Sequence, residues 1–175
     1  MFRKKSASHQ VAEGLEPIYP RLWRYCMALA GNIDQANDLA QASCLRALEK
    51  SDYFKPDTHL DRWIFTIAQR LWINELRYNA VRRGMGTISV EEIDIPDSSS
   101  DQETNIFAKQ VLLEVMALPE AQRQAVILVY IEGFSYKEAS DILDIPIGTV
   151  MSRLSAARGK LAIPAKKIGK NIHNA

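Results

Sequence analysis

Apolar residues recur along this chain at three- and four-residue spacing, and short breakers separate the segments that carry the repeat. Leu15, Ile18, Leu22, Tyr25, Cys26 and Leu29 fall on one helical face. Gly31 and Asn32 then supply a helix stop. A second helix, from about Asp34 to Lys50, carries Ala36, Leu39, Ala40, Cys44, Ala47 and Leu48. A loop containing Pro56 follows, and then a long third helix from about Leu60 to Asn79, with Leu60, Ile64, Ile67, Ala68 and Leu71 on one side. Three such helices can bury a small bundle core.

The repeat then lapses. Residues 91–105 hold six acidic residues and no basic ones, together with Pro96 and the run Ser98, Ser99, Ser100. Low apolar content and self-repelling charge favour an extended linker. Helical patterning resumes near Asn105 with Ile106, Val111, Leu112, Val115 and Met116. Pro119 suits the first turn of the next helix, which Val126, Ile127 and Tyr130 continue. The pattern predicts an all-α chain of two small helical domains, the first of three helices and the second of four, joined by a flexible acidic linker. The boundaries read as a tail over 1–14, a first domain over 15–83, a linker over 84–105, a second domain over 106–162 and a basic tail over 163–175.

The last two helices form the most specific motif. Ser135 followed by Glu138 is a capping box, so a helix starts there, with Ile142 and Leu143 on its apolar edge. Ile145-Pro146 breaks it. Asp144 sits in the turn, where aspartate tolerates a left-handed backbone better than most residues. The next helix, roughly Ile147 to Leu161, places Val150, Leu154, Ala157 and Leu161 on one side. Its other side shows Thr149, Ser152, Arg153, Ser155, Ala156 and Lys160. Two short helices joined by a tight turn, the second bearing small polar and basic residues, suit a DNA major groove. From Met151 to Ala175 there are six Lys/Arg and no Asp/Glu. That local bias outweighs the whole-chain net charge of +1, because phosphate contacts need local positive charge.

The third helix carries a second polar surface. Arg62, Thr66, Gln69, Arg70, Asn74 and Arg77 recur at helical spacing, accompanied by Tyr53, Phe54, Trp63, Phe65, Trp72 and Tyr78, with Arg82 and Arg83 after them. Cations interleaved with aromatics suit single-stranded nucleic acid, where bases stack on rings. The competing reading is that Trp63, Phe65 and Trp72 are core and the arginines a solvated face.

Other chemistry is sparse. No apolar run is long enough to span a membrane, and the basic opening MFRKKSASHQ lacks the apolar core of a signal peptide, so a cytoplasmic protein is expected. Cys26 and Cys44 lie in helical patterns and read as reduced, buried thiols. His9, His59 and His173 are far apart, so no metal set is expected. No nucleophile-base constellation or phosphate-cradling glycine loop marks an enzyme, and no cofactor is expected.

Taken together, the two surfaces resemble those of the extracytoplasmic-function (ECF) sigma factors, bacterial RNA polymerase specificity subunits. LPEAQRQAVILVYIEGFSYKEASDILDIPIGTVMSRLSAARGKL is similar to the family's fourth conserved region. NDLAQASCLRALEK and FKPDTHLDRWIFTIAQRLWINELRYNAVRR resemble its second region and the promoter-melting segment that follows. The likeness covers roughly Leu15 to Leu161. It implies that the first domain binds the clamp helices of the largest polymerase subunit through Asn37, Asp38, Leu39, Gln41 and Arg46. It implies −10 recognition and melting by the Tyr53–Asp61 loop and by Arg62, Thr66, Gln69, Arg70, Asn74 and Arg77. The second domain would read the −35 element through Thr149, Ser152, Arg153, Ser155, Ala156, Arg158 and Lys160, and would meet the flap of the second-largest subunit. Promoter DNA and an anti-sigma factor are further implied partners, with the linker directed to the RNA exit channel.

Several positions depart from the family pattern. Met151 stands where a basic residue is common, and Ser155 and Ala156 replace larger or basic side chains. Those changes favour DNA shape and apolar contact with thymine methyls. Ala40 and Ala42 replace bulkier or acidic residues, and Arg70 occupies a base-contacting position. Two other readings compete: a helix-turn-helix regulator binding operators, and a sigma mimic that sequesters an anti-sigma factor. The melting-type N-terminal half argues against the first. Retention of Arg153 and Arg158 argues against the second.

Overall fold

A computed structural model describes residues 6–83 and 112–161. The expected acidic linker at 84–105, the basic tail at 163–175 and the helix start near Asn105 lie outside the described residues, as do the side chains of Arg82 and Arg83. Every regular element among the described residues is helical. The chain divides into two compact units, 1–91 and 92–175.

In the first unit α1 spans Ala7–Ala30, α2 Ile33–Glu49 and α3 Leu60–Arg83. A 3-10 turn at Ser51–Tyr53 follows α2. α1 starts well before the expected Leu15, so residues 7–14 are not a tail. The Ser6 side chain caps the helix by accepting from the His9 N–H, and Val11 is buried. The helix runs through Pro17 and Pro20 and stops at Gly31, whose φ of 78° is the left-handed turn glycine tolerates. Asn32 caps α2 by accepting from Gln35.

The core of this unit is Leu22, Tyr25, Cys26 and Leu29 of α1, Ala36, Leu39, Ala40 and Ala47 of α2, and Ile64, Phe65, Ala68 and Trp72 of α3. Two expectations change. α3 turns a different face inward: Phe65, Gln69 and Trp72 are buried while Ile67 and Leu71 are only half-buried. The two large aromatic rings remove more apolar area from water than the two aliphatic side chains would, and they set the helix rotation. Tyr25 stacks on Phe65 at 5.1 Å between centroids, and its hydroxyl donates to Gln69 Oε1 at 2.7 Å. On α2, Leu48 is 44% exposed and Cys44 half-buried, because small Ala36, Ala40, Ser43 and Ala47 form the contact stripe instead.

The loop after the 3-10 turn is held from α1. Gln10 Oε1 accepts the Asp57 N–H at 3.2 Å, and Asp57 has φ 63°. Arg21 reaches Asp61 at 3.3 Å. Gly14 lies so close to Leu60 that a Cβ there would collide with its side chain.

In the second unit α4 covers residues 112–116 of the described chain, α5 Glu120–Val126, α6 Tyr136–Leu143 and α7 Ile147–Lys160. A π-turn at Ile127–Ile131 extends α5 and is closed by the Glu132 N–H donating to Ile127 O at 2.8 Å. Gly133 follows at φ 77°. The buried Arg123 donates to the carbonyls of Met116 (2.9 Å) and Leu118 (3.5 Å), satisfying the end of α4, and burial lowers its pKa. Both halves of the Ser135/Glu138 capping box are present. α6 ends at Asp144, φ 54° and ψ 49°, two residues before Pro146. Ser140 Oγ donates to Ile145 O at 2.6 Å and fixes the turn. α7 packs on α5 and α6 through Val150, Leu154 and Ala157.

Candidate functional site

In the first unit, the end of α2, the 3-10 turn and the middle of α3 border a cavity of about 520 Å³ that is open to solvent. Its walls are Arg46, Lys50, Tyr53, Trp63, Ile67, Arg70, Leu71 and Asn74. The volume falls in the range of small-molecule sites, about 300–1,000 Å³. Three cations share the wall with two aromatic rings. Tyr53 is 78% exposed, and Lys50 Nζ lies 5.4 Å from its ring centroid. Trp63 tilts against the buried Phe54 at 5.3 Å. An aromatic face for stacking and cations for a phosphate thus open into one concave space.

The residues singled out on α3 separate into groups. Arg70, Asn74 and Arg77 are exposed, and the first two line the cavity. Arg62 and Thr66 are half-buried, and the Thr66 hydroxyl donates back to Arg62 O at 2.9 Å. Gln69 is a correction: its side chain is 5% exposed and accepts the Tyr25 hydroxyl, so it stands in the core and cannot meet a base.

The α2 candidates also divide. Asp38 and Gln41 are exposed. Asn37 is half-buried and accepts the Trp23 indole N–H at 2.8 Å. Leu39 is 4% exposed and belongs to the core, a second correction. Arg46 faces the cavity, with Glu49 at 3.4 Å. Sequence reasoning passed over Leu45 and counted Leu48 with the apolar face; they are 59% and 44% exposed and share a face with Asp38 and Gln41 at three- and four-residue steps. Leu45 sits off the small-residue stripe, which is the signal that could have exposed it.

On α7, Ser152, Ser155, Ala156, Arg158 and Lys160 are exposed, and Thr149 and Arg153 half-buried. The Ser152 hydroxyl donates to Thr149 O at 3.0 Å. Ile147 and Met151 are exposed large apolar residues on the same helix. Burial raises the pKa of Tyr130 while nearby Arg158 opposes the shift.

The described residues thus form two helical modules, a trihelical unit with a cation-lined cavity and a unit that carries a helix-turn-helix. Residues 15–82 match the model of sigma-70 region 2, and residues 108–161 that of sigma-70 region 4. The chain is 35% identical over 143 residues to the ECF RNA polymerase sigma factor EcfG of Rhodopseudomonas palustris, covering 82% of this chain and 78% of that one. It is 32% identical over 151 residues to the ECF sigma factor SigL of Mycobacterium tuberculosis, covering 85% and 84%. Among solved structures it is similar to the sigma factor RpoE of Bartonella quintana, crystallised with the anti-sigma factor NepR, at TM-score 0.70 and 29% identity over 85% of this chain and 92% of that one. The chain belongs to the ECF sigma factor family. It carries the two regions with which sigma factors direct promoter-specific transcription initiation. No helix among the described residues is long and apolar enough to cross a membrane.

Proposed function

We propose that this protein binds core RNA polymerase in the cytoplasm, reads and melts the −10 element with its first unit, and reads the −35 element with α7. The observation that carries this reading is the cavity. Opening a promoter costs a few kcal/mol per unstacked base. A cavity with an exposed tyrosine, a tryptophan and the cations Arg46, Lys50 and Arg70 can offset that cost by holding an unpaired base and its phosphate. Arg70 and Asn74 contact the unpaired strand there. Arg77 continues along the same exposed side of α3 toward neighbouring phosphates.

The exposed ridge Asp38, Gln41, Leu45 and Leu48 supplies the polymerase contact, with apolar anchors inside a polar surround. An anti-sigma factor that covered this ridge would hold the protein inactive. The similarity to a sigma factor crystallised with its anti-sigma factor supports such a partner. On α7, Arg153, Arg158 and Lys160 engage phosphates while the first turns face the bases. The clamp helices and the flap of the polymerase are the assigned docking partners of the first and second units.

The test is in vitro transcription by bacterial core polymerase, with and without this protein, on a fragment library from the source genome. Discrete new start sites that require the protein are the expected result. Core binding without starts would favour a sigma mimic, and no core binding would favour an operator-binding regulator.

A further inference from the structure

We propose that Ile147 and Met151 read thymine 5-methyl groups in the −35 duplex, making apolar contact the main source of base choice there. This rests on the reading of α7 as the −35 helix. Recognition helices use their N-terminal turns for base edges. At 3.6 residues per turn, Gly148, Ser152, Ser155, Ala156 and Gly159 fall opposite the buried Val150, Leu154 and Ala157. This front is small and uncharged, so the helix backbone can approach the groove floor closely. A Cβ at Gly148 or Gly159 would meet nothing within 4 Å, so the front is open space.

The bidentate contacts that select guanine or adenine need Arg, Lys, Asn or Gln. The front of α7 carries none of these. Ser152 has already committed its hydroxyl proton to Thr149 O. In the first two turns the large side chains left in solvent are Ile147, 45% exposed, and Met151, 51% exposed. They stand one turn apart on one side of the helix, Met151 beside the front and Ile147 at the helix start, in the turns that a recognition helix turns to base edges. In the major groove the apolar feature that a base pair presents is the thymine methyl. The cations Arg153, Arg158 and Lys160 lie toward the other flank or in the last turns, where phosphates supply the complementary charge.

The experiment uses the full chain bound to bacterial core polymerase and a promoter library with a randomised −35 duplex. One library is amplified with thymidine triphosphate, the other with deoxyuridine triphosphate, and the bound fractions are sequenced. Losing one buried methyl contact should lower enrichment at a thymine position by about four-fold. The wild-type protein should show that loss. Ile147→Ala combined with Met151→Ala should show weaker thymine preference and little response to uracil, while Ile147→Leu combined with Met151→Leu should restore the response. Both side chains are about half in solvent, so neither pair of changes disturbs the core. A motif indifferent to uracil, or a uracil penalty that survives in the double alanine variant, overturns the methyl reading while leaving α7 as the −35 helix. Absence of any motif overturns both.

Discussion

The two units present nucleic-acid chemistry in opposite shapes. The first gathers Arg46, Lys50 and Arg70 around a hollow with Tyr53 and Trp63 in its wall. The second displays a convex helix whose front is small and uncharged, with Arg153, Arg158 and Lys160 set to its sides and end. The difference follows from the state of the DNA each would meet. An unpaired base offers two faces and a phosphate, so a concave site with rings and cations captures it. A base pair in a duplex offers only its edge at the floor of a groove, so the reader must be a ridge. Charge alone does not distinguish the two modes. The placement of charge relative to apolar surface does.

The sharpest way to break this comparison is to empty the hollow. Arg70→Ala combined with Asn74→Ala should slow open-complex formation on closed promoter by roughly ten- to a hundred-fold, from the size of base-stacking and cation contributions. A template already unpaired across the −10 element should recover most of that loss. Equal loss on both templates would assign these residues to folding or polymerase docking. Both side chains are exposed on α3, which makes a folding role the weaker expectation.

How much of this contrast was legible beforehand differs between the units. The second unit was nearly transparent, because local rules fix it. A capping box starts α6, a left-handed Asp144 ends it, and a proline opens α7. The π-turn at Ile127–Ile131 escaped, since it adds one residue to a turn without altering the apolar spacing on either side. In the first unit the elements were legible but their rotation was not. Gln69 lies at a position that periodicity assigns to solvent, and its burial is satisfied by the Tyr25 hydroxyl, 44 residues away in sequence. The start of α1 was hidden for a similar reason: Val11 stands in a mostly polar stretch, and yet it is fully buried in the fold. The cavity is a tertiary feature, so Arg46 looked like part of the polymerase surface until α3 was placed beside it.

A second break targets the stability of one unit alone. Arg123→Met removes the donor that satisfies Met116 O and Leu118 O, leaving buried carbonyls at a cost of about 1–3 kcal/mol. Trp23, Trp63 and Trp72, the chain's three tryptophans, all lie in the first unit. Denaturation of the variant should therefore shift the helical circular-dichroism signal while leaving the tryptophan fluorescence transition in place. Joint movement of both signals would show that the units unfold as one body. A smaller effect is expected from Arg153→Ala: duplex −35 binding should weaken a few-fold, and the slope of log affinity against log salt should fall by about one. An unchanged slope would remove Arg153 from the phosphate contacts.

An effect that vanishes at neutral pH separates the units under alkaline conditions. Burial, aided by the neighbouring Cys44 thiol and opposed by a backbone hydrogen bond, pushes the Cys26 thiol up to about 12. An unfolded chain releases this proton near the ordinary thiol value, about 8.5. Between those two values the unfolded state binds fewer protons than the folded one, so stability falls as pH rises. The slope from this one group is at most about 1.4 kcal/mol per pH unit. Cys44, also shifted upward by burial, acts in the same direction. Cys26→Ala should flatten the alkaline loss of stability seen by tryptophan fluorescence, which reports the unit that holds both cysteines. A slope identical to wild type would mean that the buried thiol reaches solvent in the folded protein. In that case Cys26 should also react with a thiol reagent under native conditions, whereas an enclosed thiol at this position should react only on unfolding.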